Sequence, residues 1–454
     1  MLDYTPKEMT DRSSLIVNPA KTCQPIGAMY AALGIHKCLP HSHGSQGCCS
    51  YHRMHLTRHY RDPIVASTSS FTEGACVFGG KSNLSKGLQN VFEIYDPDIV
   101  AVNTTCLSET IGDDLGEIIR ATKLPEEKVV IYANTPSYSG SHVTGFSNMT
   151  KAMVTNLAEK EETIDSINVL PGYVEPSDML EVKRILNTME VPYIMFPDTS
   201  GVVNSPNKGK YEMYPQGGVT IEELKATGNA CATLALGSFS SKDTAYELEK
   251  RFDITPYILK TPIGIKATDE FIMSVLSIIG DSFIPEELEV ERGQLLDIMI
   301  DVHHHYHGKK VAIFGDPDIV IGMTEFIIDL GMIPKYVLTG TPGKEFEKTI
   351  NGLLKEAGIE DSIVKCSADL MTLHQWIKNE PVDLLIGNTY GKYIARAEDI
   401  PLVRVGFPIL DRIGHSYFPI IGYKGAIRII EKISTALLDK YDRICNEEDF
   451  ELVM

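Results

Sequence analysis

The sequence predicts an α/β protein made of repeated β-α units, and three observations carry that prediction. Short, continuous apolar runs rich in β-branched residues recur along the chain, and segments of helical length separate them. The chain is also long. At 454 residues it exceeds what one hydrophobic core usually holds, so about two to four domains are expected.

In chain order the runs are DIVAVNTT, EKVVIYANT, SINVLPGY, VPYIMFPD, ATLALG, KKVAIFGD, KYVLTGTP, VDLLIGNT and PLVRVGFP. They are continuously apolar rather than alternating, as strands covered on both faces must be. Parallel strands are the result. Among the intervening segments, IVIGMTEFIIDLG has Asp316 and Pro317 at its N-terminal turn, Ile319, Met323 and Ile327 on one face, and Gly331 at its end, which predicts an amphipathic helix. Doubly wound sheets of this kind bind ligands at the carboxyl ends of their strands. A charged stretch from Glu159 to Thr163 and the polar PEELEVERG segment divide the chain. Three Rossmann-like domains with mainly parallel β-sheets flanked by helices are therefore expected, at 1–160, 161–290 and 291–454.

Apolar content of 43% and charged content of 23% are those of an ordinary globular protein. No run of about 18 apolar residues is present to span a bilayer, and the polar N-terminus MLDYTPKEMTDRSS lacks a signal-peptide core. A cytoplasmic protein with no membrane partner is expected. The formal charge of −19 argues against nucleic-acid binding, which needs clustered Lys and Arg, and favours a protein partner with basic patches. Nine cysteines is an odd count, so a disulfide framework is not expected. Cys38, Cys76, Cys231, Cys366 and Cys445 read as reduced, mostly buried thiols.

The remaining cysteines carry the chemistry. Cys23 lies in NPAKTCQPIGA, Cys48 in HSHGSQGCCSY and Cys106 in DIVAVNTTCLSETIGDD, and none forms a CxxC pair. A metal cluster gathered from distant loops suits them better than a zinc knuckle. Cys106 ends one predicted strand and Ser137 ends EKVVIYANTP, so both are expected at the carboxyl edge of one sheet. Gly44 and Gly47 precede Cys48 and let backbone amides approach sulfide, while Pro25 and Gly27 hold Cys23 in a turn. Cys49, next to Cys48 in what reads as an irregular turn, is taken as a packing residue. Soft thiolates suit iron-sulfur clusters, and three from one chain leave such a cluster incomplete.

These segments, with NTPSYSGSHVTG (Asn134 to Gly145), RGQLLDIMID, FGDPD and RIGHSYFP, resemble the β subunits of nitrogenase molybdenum-iron proteins. The resemblance is long and ordered. It implies the nitrogenase component 1 fold and a tetramer of two α and two β subunits. It also implies an 8Fe-7S P-cluster at the α/β interface, with three cysteines from each subunit. Cys23, Cys48 and Cys106 match the β ligands, and Ser137 matches the serine that binds iron when the cluster is oxidised. A hydroxyl ligates as alkoxide to electron-poor iron, which couples electron loss to proton loss. The implied role is electron relay from an ATP-hydrolysing iron protein to an iron-molybdenum cofactor held only in the α subunit, where dinitrogen becomes ammonia. The chain begins close before Cys23, without the long N-terminal extension of many β subunits.

Asp297 and Asp301 lie one turn apart on a helix predicted from Glu286 to about Tyr306. The resemblance pairs them with Arg61, through its backbone carbonyl, and Asp62 of the other β subunit around a calcium or iron ion at the β-β contact. Many relatives have Glu where Asp62 stands, and the shorter acid reaches less far. Without the resemblance the two aspartates read as a solvated helix face. Phe78 and Ile111 match apolar contacts for the docking iron protein, although their residue types alone suggest core positions.

Other motifs read as structural. HHHYH (His303 to His307) precedes Gly308 and suits a cationic helix C-terminus. His52, His55 and His59 have helical spacing and suit core packing. GACVFGGKS has Ala75 where a phosphate loop needs Gly, so ATP hydrolysis is assigned to a partner, and no GxGxxG supports a dinucleotide. Asp316 reads as a helix cap, and Asp411, Arg412 and His415 as a polar network. Two rivals stand beside this reading. One is a nitrogenase-like paralogue: a vanadium or iron-only β subunit, a cofactor-assembly scaffold, or a dark-operative protochlorophyllide reductase subunit. The other is a Rossmann-type binding or sugar-transfer module with inert thiols.

Overall fold

The structure, a computed structural model, describes residues 5–9, 12, 16–447 and 450. The first sheet contains β1 (Cys38–His43), β2 (Ser67–Thr68), β3 (Ile99–Thr104) and β4 (Val129–Ala133). A second contains β5 (Ile167–Leu170), β6 (Tyr193–Met195), β7 (Ala232–Leu236) and β8 (Thr255–Leu259). The third contains β9 (Lys310–Gly315), β10 (Ile333–Thr339), β11 (Ile363–Lys365), β12 (Leu384–Gly387) and β13 (Leu402–Arg404). Strand orders are β2-β1-β3-β4, β6-β5-β7-β8 and β11-β10-β9-β12-β13, and the pairings within these sheets are parallel. Helices make the crossovers, as parallel connections require. Residues from all three sheets, among them Ile99, Val169 and Ile313, join one apolar cluster.

Every apolar run picked out in the sequence contains or overlaps one of these strands. Four further strands did not show. β1 reads as polar because it carries His41 and His43, yet all six of its residues are buried. Serine hydroxyls make that burial tolerable: His41 Nδ1 meets Ser67 Oγ at 2.8 Å and its Nε2 meets Ser69 Oγ at 2.9 Å. β2 has only two residues, and β8 and β11 are partly exposed edge strands without a continuous apolar run.

In the first region the helices are α1 (Gln24–Leu33), α2 (Gln46–Tyr60), α3 (Glu73–Phe78), α4 (Lys81–Tyr95), α5 (Cys106–Ile111), α6 (Leu115–Ala121) and α7 (His142–Leu157). α1 and α7 approach too closely for side chains at their crossing. A Cβ on Gly27 would stand 1.7 Å from the His142 carbonyl oxygen, and one on Gly145 would stand 1.9 Å from that of Gln24. Glycine is required at both.

The helix predicted from Asp316 runs Pro317–Asp329, but residues Pro317 to Ile327 are all buried. It is covered on every side rather than amphipathic, because elements of the second and third sheets pack around it. Asp316 occupies the N-cap position without capping; its carboxylate accepts the Phe407 N–H at 2.9 Å instead. The helix Glu286–Tyr306 has the bounds expected from sequence, with His303, His304 and His305 in its last turn. No helix among the described residues is long and apolar enough to cross a membrane.

Candidate cluster-binding site

The three cysteines each stand where a helix begins. Cys23 is the N-cap of α1, Cys48 lies in the first turn of α2, and Cys106 opens α5. Cys48, Cys106 and Ser137 follow the carboxyl ends of β1, β3 and β4, which lie side by side in one parallel sheet. Helix starts present unpaired N–H groups and the positive end of the dipole, which favour thiolate. All three thiols are free and half-buried.

Two expectations change here. Cys48 and Cys49 sit in a helix, not an irregular turn, so successive side chains point about 100° apart. Cys49 is accordingly buried, with Sγ 3.5 Å from the Ser67 carbonyl, which agrees with its packing role. Ser137 lies in a turn beyond the end of β4 at Ala133, because Thr135 bonds sideways to Thr104, donating its N–H to Oγ1 at 2.6 Å and its hydroxyl to the carbonyl at 2.7 Å. Among the other cysteines Cys38 is buried, but Cys76 and Cys231 are exposed, contrary to the expectation of mostly buried thiols.

Two clamps bring the loops together. Thr105 donates its N–H to the His43 carbonyl at 3.0 Å, Ser108 Oγ donates to the same oxygen at 2.7 Å, and Ser45 N–H reaches Thr105 Oγ1 at 3.4 Å. These bonds tie the Cys48 loop to the Cys106 loop. On the other side, Gln24 Nε2 donates to the Pro136 and Ser139 carbonyls at 3.1 and 3.0 Å, and His142 N–H donates to the Thr22 carbonyl at 3.0 Å. These tie Cys23 to the Ser137 turn.

Electrostatics couples the thiols as well. Burial pushes the Cys23 thiol up, and Cys48 and Cys106 push it further, while Lys21 pulls it down. Burial also raises Cys48, with Cys106 adding to the rise. Three mutually repelling sulfurs need a positive partner to hold them as thiolates, and bound iron supplies one. The group of three His, Cys or acidic residues whose ligand atoms lie within 4.8 Å of one another, among the described residues, is elsewhere. Cys48 and Cys106 are near enough for their thiols to meet, and soft sulfur donors of this kind suit an iron-sulfur group.

A cavity of about 350 Å³ adjoins Cys23 and Ser137 and is also lined by Lys21, Tyr51, His55 and Tyr390. Tyr390 Oη and His55 Nε2 are 3.2 Å apart, and burial lowers His55 to about 4. Sequence reading did not place Lys21 or Tyr390 at this site; Tyr390 arrives from the third sheet by tertiary packing, which no local pattern announces. Gly44 is needed for contact with Thr105, whereas Gly47 meets nothing closer than Ser45 Oγ at 3.6 Å.

The remaining candidates lie elsewhere. Asp297 and Asp301 are exposed on the helix Glu286–Tyr306. Arg61 caps α2 in the left-handed region at φ 63°, and its guanidinium donates to the Leu410 carbonyl at 2.9 Å. Asp62 is half-buried, and desolvation raises its carboxyl. Phe78, at the end of α3, is 90% exposed, so it is no core residue; Ile111 is half-buried. After Phe78, the Gly80 N–H donates to the Asp113 carboxylate at 3.0 Å, which places negative charge where a phosphate loop would need none.

The compact trio is His59, Glu175 and His415. His59 Nδ1 accepts the Ile409 N–H at 2.8 Å, so its proton sits on Nε2 and is donated to Glu175 Oε1 at 2.8 Å. His415 Nε2 donates to the His59 carbonyl at 2.9 Å. With these ring nitrogens already occupied, the trio is a hydrogen-bonded core network, as expected for His59 and His415. Asp411 pairs with Arg404 at 3.0 Å and Arg412 at 3.6 Å.

Comparison with known proteins shows the family to which the chain belongs. The family described as nitrogenase component 1 type oxidoreductase matches residues 23–438. A nitrogenase molybdenum-iron protein beta chain from Clostridium pasteurianum is 59% identical over 100% of both chains. One from Frankia alni is 40% identical, covering 97% of this chain and 86% of its own. The solved structure of nitrogenase Cp1 at pH 6.5 superposes with a TM-score of 0.99 at 59% identity over 100% of both chains. A chain of nitrogenase Cp1 at pH 5 shares only the fold, with a TM-score of 0.72 at 16% identity over 97% of this chain and 92% of that one. By the length and identity of these matches, the chain belongs to the nitrogenase component 1 type oxidoreductases.

Proposed function

We propose that the chain works as the β subunit of a nitrogenase molybdenum-iron protein and contributes half of the ligands of an 8Fe-7S P-cluster. The observation that carries the reading is the placing of the free thiols Cys48 and Cys106 with Ser137 at the carboxyl edge of one sheet, and of the free thiol Cys23 on the cavity wall that Ser137 also lines. Cys23, Cys48 and Cys106 would hold the cluster on this side, and an α subunit would complete the cage. When bound, the group accepts and passes on single electrons between the iron protein and the α subunit's iron-molybdenum cofactor. Ser137 would add an oxygen ligand on oxidation, losing its hydroxyl proton in the process. Phe78 and Ile111 would meet the iron protein.

Asp297 and Asp301 would bind a calcium or iron ion with Arg61 and Asp62 of the second β subunit, in a tetramer of two α and two β subunits. A reducing cytoplasm, which keeps thiols free for iron, is the compartment this reading requires. The domain limits 1–160, 161–290 and 291–454 are proposed in the same sense, supported by one sheet in each.

The test is anaerobic purification of the α/β complex, measurement of iron and molybdenum, and electron paramagnetic resonance during stepwise oxidation. Iron-sulfur signals that are lost in Cys106→Ala are expected, with molybdenum present. Iron without molybdenum would point to a paralogue, and a colourless complex unaffected by Cys106→Ala would end the proposal.

A further inference from the structure

We propose that Lys21 is the fixed cation that sets the reduction potential of the group held by Cys23, Cys48 and Cys106, an inference that rests on the cluster reading above. Lys21 lines the same cavity as Cys23 and Ser137. Its ammonium is half-buried rather than extended into solvent, because Nζ donates to the Gly140 carbonyl at 2.5 Å. That bond anchors the charge to the loop that carries Ser137. A free lysine would carry its head into water.

The cavity gives this charge no counter-ion. Besides Lys21, its walls carry the titratable residues Cys23, Tyr51, His55 and Tyr390, and no acid among them. His55 is buried on α2, with its ring neutral above about pH 4. Lys21 forms no ion pair with Asp or Glu among the described residues. Cys23, two positions along the chain, lies on the wall of the same cavity.

A cation beside a cluster favours the state with more negative charge, which is the reduced one. Removing the charge must therefore lower the midpoint potential. In a half-buried site solvent screens this interaction less than it would at the surface. The role assigned to Lys21 is electrostatic positioning of a potential, since nothing places it in contact with iron.

The test is a mediated redox titration of the purified α/β complex, followed by electron paramagnetic resonance. Lys21→Gln retains an N–H donor for the Gly140 carbonyl and removes the charge; Lys21→Arg retains the charge. The glutamine variant should shift the oxidation equilibrium at least tenfold, about 59 mV downward for one electron, and the arginine variant should stay at the wild-type midpoint. The midpoint is read from whatever clusters are present, so partial iron loading does not obscure it. An unchanged or raised midpoint in Lys21→Gln overturns the proposal, and so does complete loss of iron from that variant, which would make Lys21 a structural clip. A wild-type complex without any iron-sulfur signal is a different result, because it removes the cluster reading itself.

Discussion

Gly44 and Thr105 leave no room for a side chain between them: a Cβ on Gly44 would stand 2.0 Å from Thr105 Oγ1, and Gly44 has φ 136°. The contact joins the turn before Cys48 to the residue before Cys106. Two ligand loops therefore share one glycine.

Gly44→Ala is expected to force these loops apart and to strain the backbone, at a cost of about 1–3 kcal/mol. The purified complex should melt several degrees lower and bind less iron, as calorimetry and iron analysis would show. Wild-type iron content and melting temperature in the variant would mean that the loops do not depend on this contact.

His41 should contribute to acid sensitivity. Burial holds its ring down to about 3, whereas an unfolded chain protonates histidine near pH 6.5. Between those values the unfolded state binds the extra proton, so stability falls as pH falls, by about 1.4 kcal/mol per unit for one such group. Unfolding measured at pH 6.5 and 5.5 should show a smaller loss in His41→Gln than in wild type. An equal loss in both would assign the effect to other groups.

Phe78→Ala should separate docking from folding. With 90% of the residue exposed, truncation is expected to change stability by no more than about 0.5 kcal/mol. Electron transfer from the iron protein should nevertheless slow severalfold, while reduction of the complex by a small chemical reductant stays unchanged. Equal slowing with both donors would argue against a docking role.

The strands that continuous apolar runs announce are present because such runs can be satisfied only between two layers. β1 stayed hidden for the opposite reason. Its buried His41 and His43 read as solvent-facing until Ser67, Ser69 and Asp113 are seen to accept or supply their hydrogen bonds. The helix Pro317–Asp329 showed its length and its N-terminal turn but not its complete burial, since one-sided periodicity cannot reveal what packs on the other side.

At the candidate site, the ligand residue types were readable from local segments: thiols beside glycine and threonine turns, and a serine after a β-run. Residue chemistry is a local property. Their convergence is not, because it depends on the order β1-β3-β4 in one sheet and on the close crossing of α1 and α7 at Gly27 and Gly145. The wall that completes the cavity came from farther still, with Tyr390 packed against His55 across most of the chain. Linear order thus carried which groups are available to bind iron, and three-dimensional packing set their spacing and burial, together with the charge that Lys21 places beside them, because distance and desolvation exist only between segments that have folded against one another.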